Sequence, residues 1–306
     1  MLGRLSPRKL SAIRRLASAR SLSTVGVVGA GNMGRGIAAS LARSGFGVAQ
    51  YDITADLLAS SAAQHEAIQA ADSLAVLCRL ADAGVVVSVA GEAAERAVFL
   101  GPGGLCEVAP AGALLVDCGT VTVDFARELH GTCGARGLRF LDAPVSGGPE
   151  GAAKGTLSIM AGGAAADFEA ARPVLDGMGG YVVRMGDGGA GALAKLINQL
   201  LTASNSLAAS EALALARRSG LDDPASLKAL LALLERSWGN STMLQRAGGI
   251  VADAVAKGSG GGGGGGSGSG GVLGDSMHGG GGGYGGDGVA IGGGGGGAAA
   301  AALAAP

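Results

Sequence analysis

Apolar and polar positions change rhythm repeatedly along the middle of the chain. Val25, Val27 and Val28 form a short apolar run, a glycine cluster follows, and Ile37, Leu41 and Ala42 then recur on one helical side of a segment that closes at Gly45. The run GVAQY reads as a second strand and ends at Asp52. AGVVVSVA predicts another strand, ending at Val89 and Ala90. ALLVDCGT predicts one ending at Cys118, Gly119 and Thr120; LRFLDAPV and TLSIMAGG predict two more. Strands alternating with helical segments define an α/β fold with a doubly wound, mostly parallel sheet. Ligands of such sheets sit beyond the carboxyl ends of the strands, so Val89, Ala90, Thr120 and Ser146 are expected to face one crevice.

The rhythm becomes purely helical after the glycine-rich lead-in Gly186 to Gly191. A long helix is predicted to run to Arg218, with Gly220 as its stop. Leu193, Leu196, Ile197, Leu200 and Leu201 are expected to be its core face. Further helices are expected at Pro224 to Arg236 and Thr242 to Ala256. From Gly258 onward the chain is nearly all glycine with a little serine and alanine, too poor in apolar surface to offset chain entropy, and is expected to be disordered. The expected division is 1–23, a targeting segment; 24–187, a dinucleotide-binding domain; 188–257, a helical domain; and 258–306, a tail.

Composition narrows the function. Of 306 residues, 48% are apolar, which suffices for a real core, and the net charge of −1 gives no footprint for nucleic acid. Three histidines far apart in sequence speak against a histidine metal site, and the four cysteines form no CxxC pair, as expected of reduced, buried thiols. No run of about 18 apolar residues marks a membrane span. The start, MLGRLSPRKLSAIRRLASARSLST, is rich in arginine and serine, and the first acidic residue of the chain is Asp52. Leu10, Ile13, Leu16 and Ala17 fall roughly on one helical side. That is the pattern of an organellar transit peptide, mitochondrial before plastid, with a basic tail on a cytosolic protein as the bland alternative.

Two stretches carry candidate chemistry. In VGVVGAGNMGRG, Gly29, Gly31 and Gly34 stand as G-x-G-x-x-G between a strand and a helix, with Asn32 and Met33 inside the turn. Gly29 permits the turn, Gly31 lets backbone approach a pyrophosphate at the helix N-terminus, and Gly34 lets the helix close on the strand. With Asp52 about twenty residues on to accept the adenosine ribose hydroxyls, the whole unit predicts a Rossmann-type dinucleotide site. A carboxylate at that place repels a 2′-phosphate, so NAD is expected, with NADP as the alternative. The second stretch is the long helix, in which Lys195, Asn198 and Gln199 share one face by their spacing. They are either its solvated side or a functional group of three.

These pieces, together with DAPVSGGPEGAAKGTLSIMAGG and GAGALAKLINQ, resemble the β-hydroxyacid dehydrogenases, the family of 3-hydroxyisobutyrate dehydrogenase, over roughly Val25 to Leu244. The resemblance implies a Rossmann domain followed by an all-helical domain and a homo-oligomer. It implies that Ser146, Gly147 and Gly148 hold a substrate carboxylate, that Lys195 is catalytic, and that Asn198 and Gln199 line the substrate site. Val89, Ala90 and Thr120 fall at cofactor-contacting positions, while Gly119 replaces the family's usual serine. The chemistry is coherent. A serine hydroxyl and backbone amides pin an anion without adding a titrating charge, and with no histidine near these motifs Lys195 is the best proton handler. The reaction expected is NAD-dependent oxidation of a small 3-hydroxy acid. The mitochondrial address favours 3-hydroxyisobutyrate; the ADAGVVVSVAG and KLINQLL segments resemble the threonate-dehydrogenase branch, which makes threonate the runner-up, with a tartronate, glyoxylate or succinic semialdehyde reductase as a further alternative. A cofactor-binding scaffold is the reading from another class. After Met243 the chain departs from the family pattern, which implies an incomplete helical domain, poorer cover for Leu213 and Leu215, low activity and self-association, and a tail that contributes to none of these.

Overall fold

The computed structural model describes residues 23–259. The expected transit segment, but for its last residue, and the glycine-rich tail from residue 260 lie outside them; residues 258 and 259, expected to open the tail, end the last helix instead.

Within the described residues, nine strands form one sheet. The first half is β1 (Thr24–Val28), α1 (Asn32–Arg43), β2 (Gly47–Tyr51), α2 (Ala55–Ala62), β3 (Ile68–Ala70), α3 (Leu74–Leu80) and β4 (Val85–Val87). Next come α4 (Glu92–Leu100), α5 (Leu105–Val108), β5 (Leu114–Asp117), α6 (Val123–Ala135) and β6 (Arg139–Asp142). The sheet is completed by β7 (Val145–Ser146), α7 (Gly148–Lys154), β8 (Leu157–Gly162), α8 (Ala165–Met178) and β9 (Gly179–Gly186). Strands β3-β2-β1-β4-β5-β6 are parallel neighbours in that order, and β8 adds antiparallel to β6 with β7 and β9 beside it. This is the doubly wound order, reversing direction at β1 and β4, where such sheets open their ligand crevice.

Both faces of the sheet are covered, which is why the strands read as continuous apolar runs rather than alternating ones. Ile37 and Leu41 of α1 pack with Phe168, Val174 and Leu175 of α8 on one face. Leu77, Phe99, Phe125 and Leu129 pack on the other. Each fully buried side chain of this size contributes about 2 kcal/mol. Helix starts follow from short polar residues: Ser73 caps α3 and Thr122 caps α6 through their side chains.

The helical part is α9 (Ala190–Arg218), α10 (Pro224–Leu234) and α11 (Thr242–Ser259). Gly220, at φ 96°, follows the last turn of α9 as expected. Asp223 caps α10, accepting from the amides of Ala225 and Ser226 at 2.9 and 3.0 Å, with Pro224 in the first turn. The core here is small: Ala209, Leu213 and Leu244, with Leu231, Leu234, Ala247 and Val251 packed around them. Two expectations are corrected. Leu193, Leu196, Ile197, Leu200 and Leu201 are not core but between 46% and 65% exposed, because nothing among the described residues covers that side of α9. Leu213 is buried against α11, whereas Leu215 is exposed.

Candidate active site

The glycine turn is built to a close tolerance. Gly29 sits at φ 105°, in the left-handed region, and a Cβ on it would lie 2.2 Å from the Ser88 carbonyl oxygen. A Cβ on Gly34 would lie 2.2 Å from the Gly29 oxygen, so α1 can close on β1 only without one. Around Gly31 there is open space, and α1 begins there without a side-chain cap. Its first amides therefore stay available to an anion. Asn32 is exposed and Met33 half-buried at this start.

Two side chains, Gln50 of β2 and Asp52 just after it, pin the turn from beneath. Gln50, fully buried, donates from Nε2 to the Gly29 carbonyl at 2.8 Å and is itself held by the Ser61 hydroxyl at 2.6 Å. Asp52 accepts from the Ala30 amide at 2.6 Å and from the Thr54 amide at 2.8 Å. A carboxylate has about four acceptor positions, so these two bonds leave capacity for ribose hydroxyls. Asp52 was legible in the sequence; Gln50 was not, because a glutamine in an apolar run signals only a buried amide. Half-buried Val89 and exposed Ala90 follow β4, and exposed Thr120 follows β5, all at the carboxyl edge.

The other part of the candidate site is the corner after β7, whose helix α7 packs against α1: a Cβ on Gly36 would lie 2.9 Å from Ala152. Ser146 is half-buried, and Gly147, at φ 136°, turns the chain into α7 with Gly148. Lys195 reaches this corner from α9: its Nζ donates to the Val145 carbonyl at 2.8 Å. Only 8% of Lys195 is exposed, and burial lowers its pKa from the ordinary lysine value. One bond leaves the amine two further donor positions. Asn198 is half-buried and donates to the Gln199 amide oxygen at 3.3 Å, and Gln199 is exposed. The three polar residues of α9 thus differ in depth, with Lys195 the buried one.

Asp142, at the end of β6, sets the start of α9. It is 1% exposed and accepts from the amides of Gly189 and Ala192 at 3.0 and 2.9 Å, while His130 Nε2 lies 2.6 Å from its Oδ1. At Gly191 the helix backbone crosses the strands so closely that a Cβ would meet the Asp142 carbonyl oxygen at 2.2 Å. Asp142 stands in the DAPVSGGP motif, but its bond to a helix fifty residues away was not readable there. A cleft of about 520 Å³ opens at the opposite, amino edge of the sheet, bounded by Asp82, Gly84, Leu114 and Arg139, away from Lys195 and the glycine turn. Among the described residues no group of three or more His, Cys, Asp or Glu is placed to hold a metal, and no helix is long and apolar enough to cross a membrane.

A Rossmann sheet with a pinned glycine turn and a helical region following it defines an NAD(P)-linked oxidoreductase. Residues 24–186 match the NAD-binding domain of 6-phosphogluconate dehydrogenase, and residues 189–259 match the NAD-binding domain of NADP-dependent 3-hydroxyisobutyrate dehydrogenase. The chain belongs to the β-hydroxyacid dehydrogenase family. It is 38% identical over 210 residues to the 3-hydroxyisobutyrate dehydrogenase of Pseudomonas aeruginosa, covering 69% of each chain. It is 34% identical over 225 residues to the mitochondrial 3-hydroxyisobutyrate dehydrogenase of Mus musculus, covering 74% of this chain and 66% of that one. A solved structure of the Mycobacterium tuberculosis 3-hydroxyisobutyrate dehydrogenase with L-serine superposes with a TM-score of 0.64 at 30% identity, covering 73% of both chains. Relatives are thus bacterial as well as mitochondrial.

Proposed function

We propose that the protein oxidises a small 3-hydroxy acid with NAD, with 3-hydroxyisobutyrate as the first substrate. The observation that carries this reading is the buried amine of Lys195, 2.8 Å from the carbonyl that precedes Ser146. In this reading residues 24–187 hold the dinucleotide through the amides at Gly31, Asn32 and Met33 and the Asp52 carboxylate, with Val89, Ala90 and Thr120 along the same edge, and residues 188–257 supply the helix of the site. Ser146, Gly147 and Gly148 hold the substrate carboxylate, and Asn198 and Gln199 border the substrate. A nicotinamide held there would supply the hydride acceptor. Lys195, neutral before reaction, takes the proton of the substrate hydroxyl, and burial favours that neutral form. Asp52 disfavours a 2′-phosphate, which supports NAD over NADP.

L-serine is the second substrate reading, favoured by the M. tuberculosis neighbour that holds it. Like 3-hydroxyisobutyrate, it carries a primary hydroxyl on the carbon next but one to the carboxylate. Threonate is third. The exposed leucines of α9 support a homo-oligomer, and the arginine-rich, acid-free start supports delivery to the mitochondrial matrix.

The test is turnover of a panel of 3-hydroxy acids with NAD and with NADP by wild type, Lys195→Ala and Asp52→Ser. The wild type should prefer NAD and a 3-hydroxy acid. Lys195→Ala should lose at least about a thousand-fold in kcat while its NAD affinity stays within a few fold, and Asp52→Ser should narrow the preference for NAD. Turnover of Lys195→Ala equal to wild type would remove the assignment.

A further inference from the structure

A second pair of ionisable side chains is buried at the carboxyl edge of the sheet, apart from Lys195. Glu95 of α4 is 0% exposed, and neither of its carboxyl oxygens meets an N–H or O–H donor. Its neighbour is Asp117, the last residue of β5, 1% exposed, whose Oδ1 accepts from the Gly119 amide at 2.9 Å. Two carboxyl groups can bond only if one of them carries a proton, and that proton is then the missing donor. Glu95 is the one that carries it. Burial, then the Asp117 charge and the more distant Glu92, push it up to about 10. Asp117 is pushed up to about 6, chiefly by burial, with the Gly119 amide and the Glu95 bond working against that and Asp142 adding to it. The thiol of the next residue, Cys118, is held well above its ordinary value by burial and by the charges of both carboxyls. Among the described residues no base offsets these acids: Arg96, one residue on, turns to Glu128 at 2.8 Å and to Glu92.

The packing is as specific as the electrostatics. A Cβ placed on Gly119 would lie 1.5 Å from Glu95 Oε1. The Glu95 carboxyl therefore fills the space that a side chain at 119 would take, directly beneath the turn that presents Thr120 to the crevice.

We propose that Glu95 is a positioning residue for the cofactor-facing turn Cys118–Thr120: its neutral carboxyl donates to Asp117, Asp117 holds the Gly119 amide, and Thr120 is thereby set at the crevice. The role at the cofactor rests on the dehydrogenase reading above; the carboxyl pair itself does not. Glu95→Gln keeps a donor toward Asp117 and cannot ionise, whereas Glu95→Leu keeps the bulk and removes the donor.

The experiment measures NAD binding by calorimetry from pH 7.5 to 10.5, and thermal midpoints of the cofactor-free protein from pH 5 to 9. At pH 7.5, Glu95→Gln should bind NAD within two-fold of wild type and Glu95→Leu at least ten-fold more weakly. Toward pH 10.5 the wild type should lose affinity at least five-fold relative to Glu95→Gln, because an ionised Glu95 repels Asp117; Lys195 is common to both and cancels. The folded-state pKa of Glu95 lies above its unfolded value, so the wild type must take up a proton to fold once the pH exceeds that unfolded value. Its midpoint should therefore fall behind that of Glu95→Gln progressively from pH 5 to 9. Gly119→Ser should lower the midpoint, and Glu95→Ala/Gly119→Ser should recover it. NAD binding by Glu95→Leu equal to wild type, or superposable pH profiles of wild type and Glu95→Gln, would overturn the proposal. A wild type that binds no dinucleotide would sink the dehydrogenase reading instead, and the midpoints and the Gly119→Ser rescue would still decide whether the carboxyl pair exists.

Discussion

The chemistry proposed for Lys195 depends on an amine that is buried yet makes one hydrogen bond with a known partner, the Val145 carbonyl. An exposed lysine near its ordinary pKa would be almost wholly charged at neutral pH and a poor base. Burial shifts the balance toward the neutral form. The sign follows directly: kcat for oxidation should rise with pH through the lowered lysine pKa, and the reverse reduction should fall across the same range, since it needs the protonated amine. Lys195→Arg, charged at every accessible pH, should show neither limb in pH–rate profiles of kcat. At this scale the sequence was informative where one residue has one physical task. Gly29 and Gly34 were readable because no other residue fits a turn and a helix–strand contact so close. Glu95 and Asp117 were not, since two carboxylates on different elements declare nothing about each other until the fold buries both.

Among the elements, α9 shows most sharply what a pattern can and cannot say. Its span was legible from the glycines on either side, and its end at Arg218 agrees with the expectation. Its leucines were misread because apolar spacing reports that a face wants cover, not whether the same chain supplies it. The start of the helix is held by Asp142, and Lys195 lies three residues after its second amide partner, Ala192. A charge-assisted bond of this kind contributes about 2 kcal/mol. Asp142→Asn should therefore destabilise the protein by about 2 kcal/mol in denaturant melts. It should also lower kcat at least ten-fold with NAD affinity nearly unchanged, because α9 would no longer set Lys195 against the Ser146 corner while the glycine turn is untouched.

At the scale of the molecule, the sheet is well covered and the helical part, among the described residues, is not. The exposed leucines of α9, with Leu207, Tyr181 and Met185 also exposed, make more apolar surface than isolated residues account for. If a second copy covers it, as proposed, Leu196→Gln/Leu200→Gln should sediment as a monomer of 29.2 kDa where the wild type sediments as a larger species. Neither residue touches the glycine turn, so NAD affinity should persist in the variant. The doubly wound class of the sheet and its dinucleotide turn were legible because strand, glycine and helix signals reinforce one another in sequence; the strand order, the short β3 and β7, and β9 were not. The cover of α9 was not, because it depends on surface that the local pattern does not describe.

The fit of Glu95 into the space above Gly119 also constrains the history of the chain. A lineage with a side chain at 119 has no room for a glutamate at 95 in this rotamer, so the easier order places glycine first. Once the glutamate has settled, restoring a side chain at 119 first requires its carboxyl to turn away from Asp117. The two positions thus favour one order of substitution, and its reversal is easiest when it begins at 95.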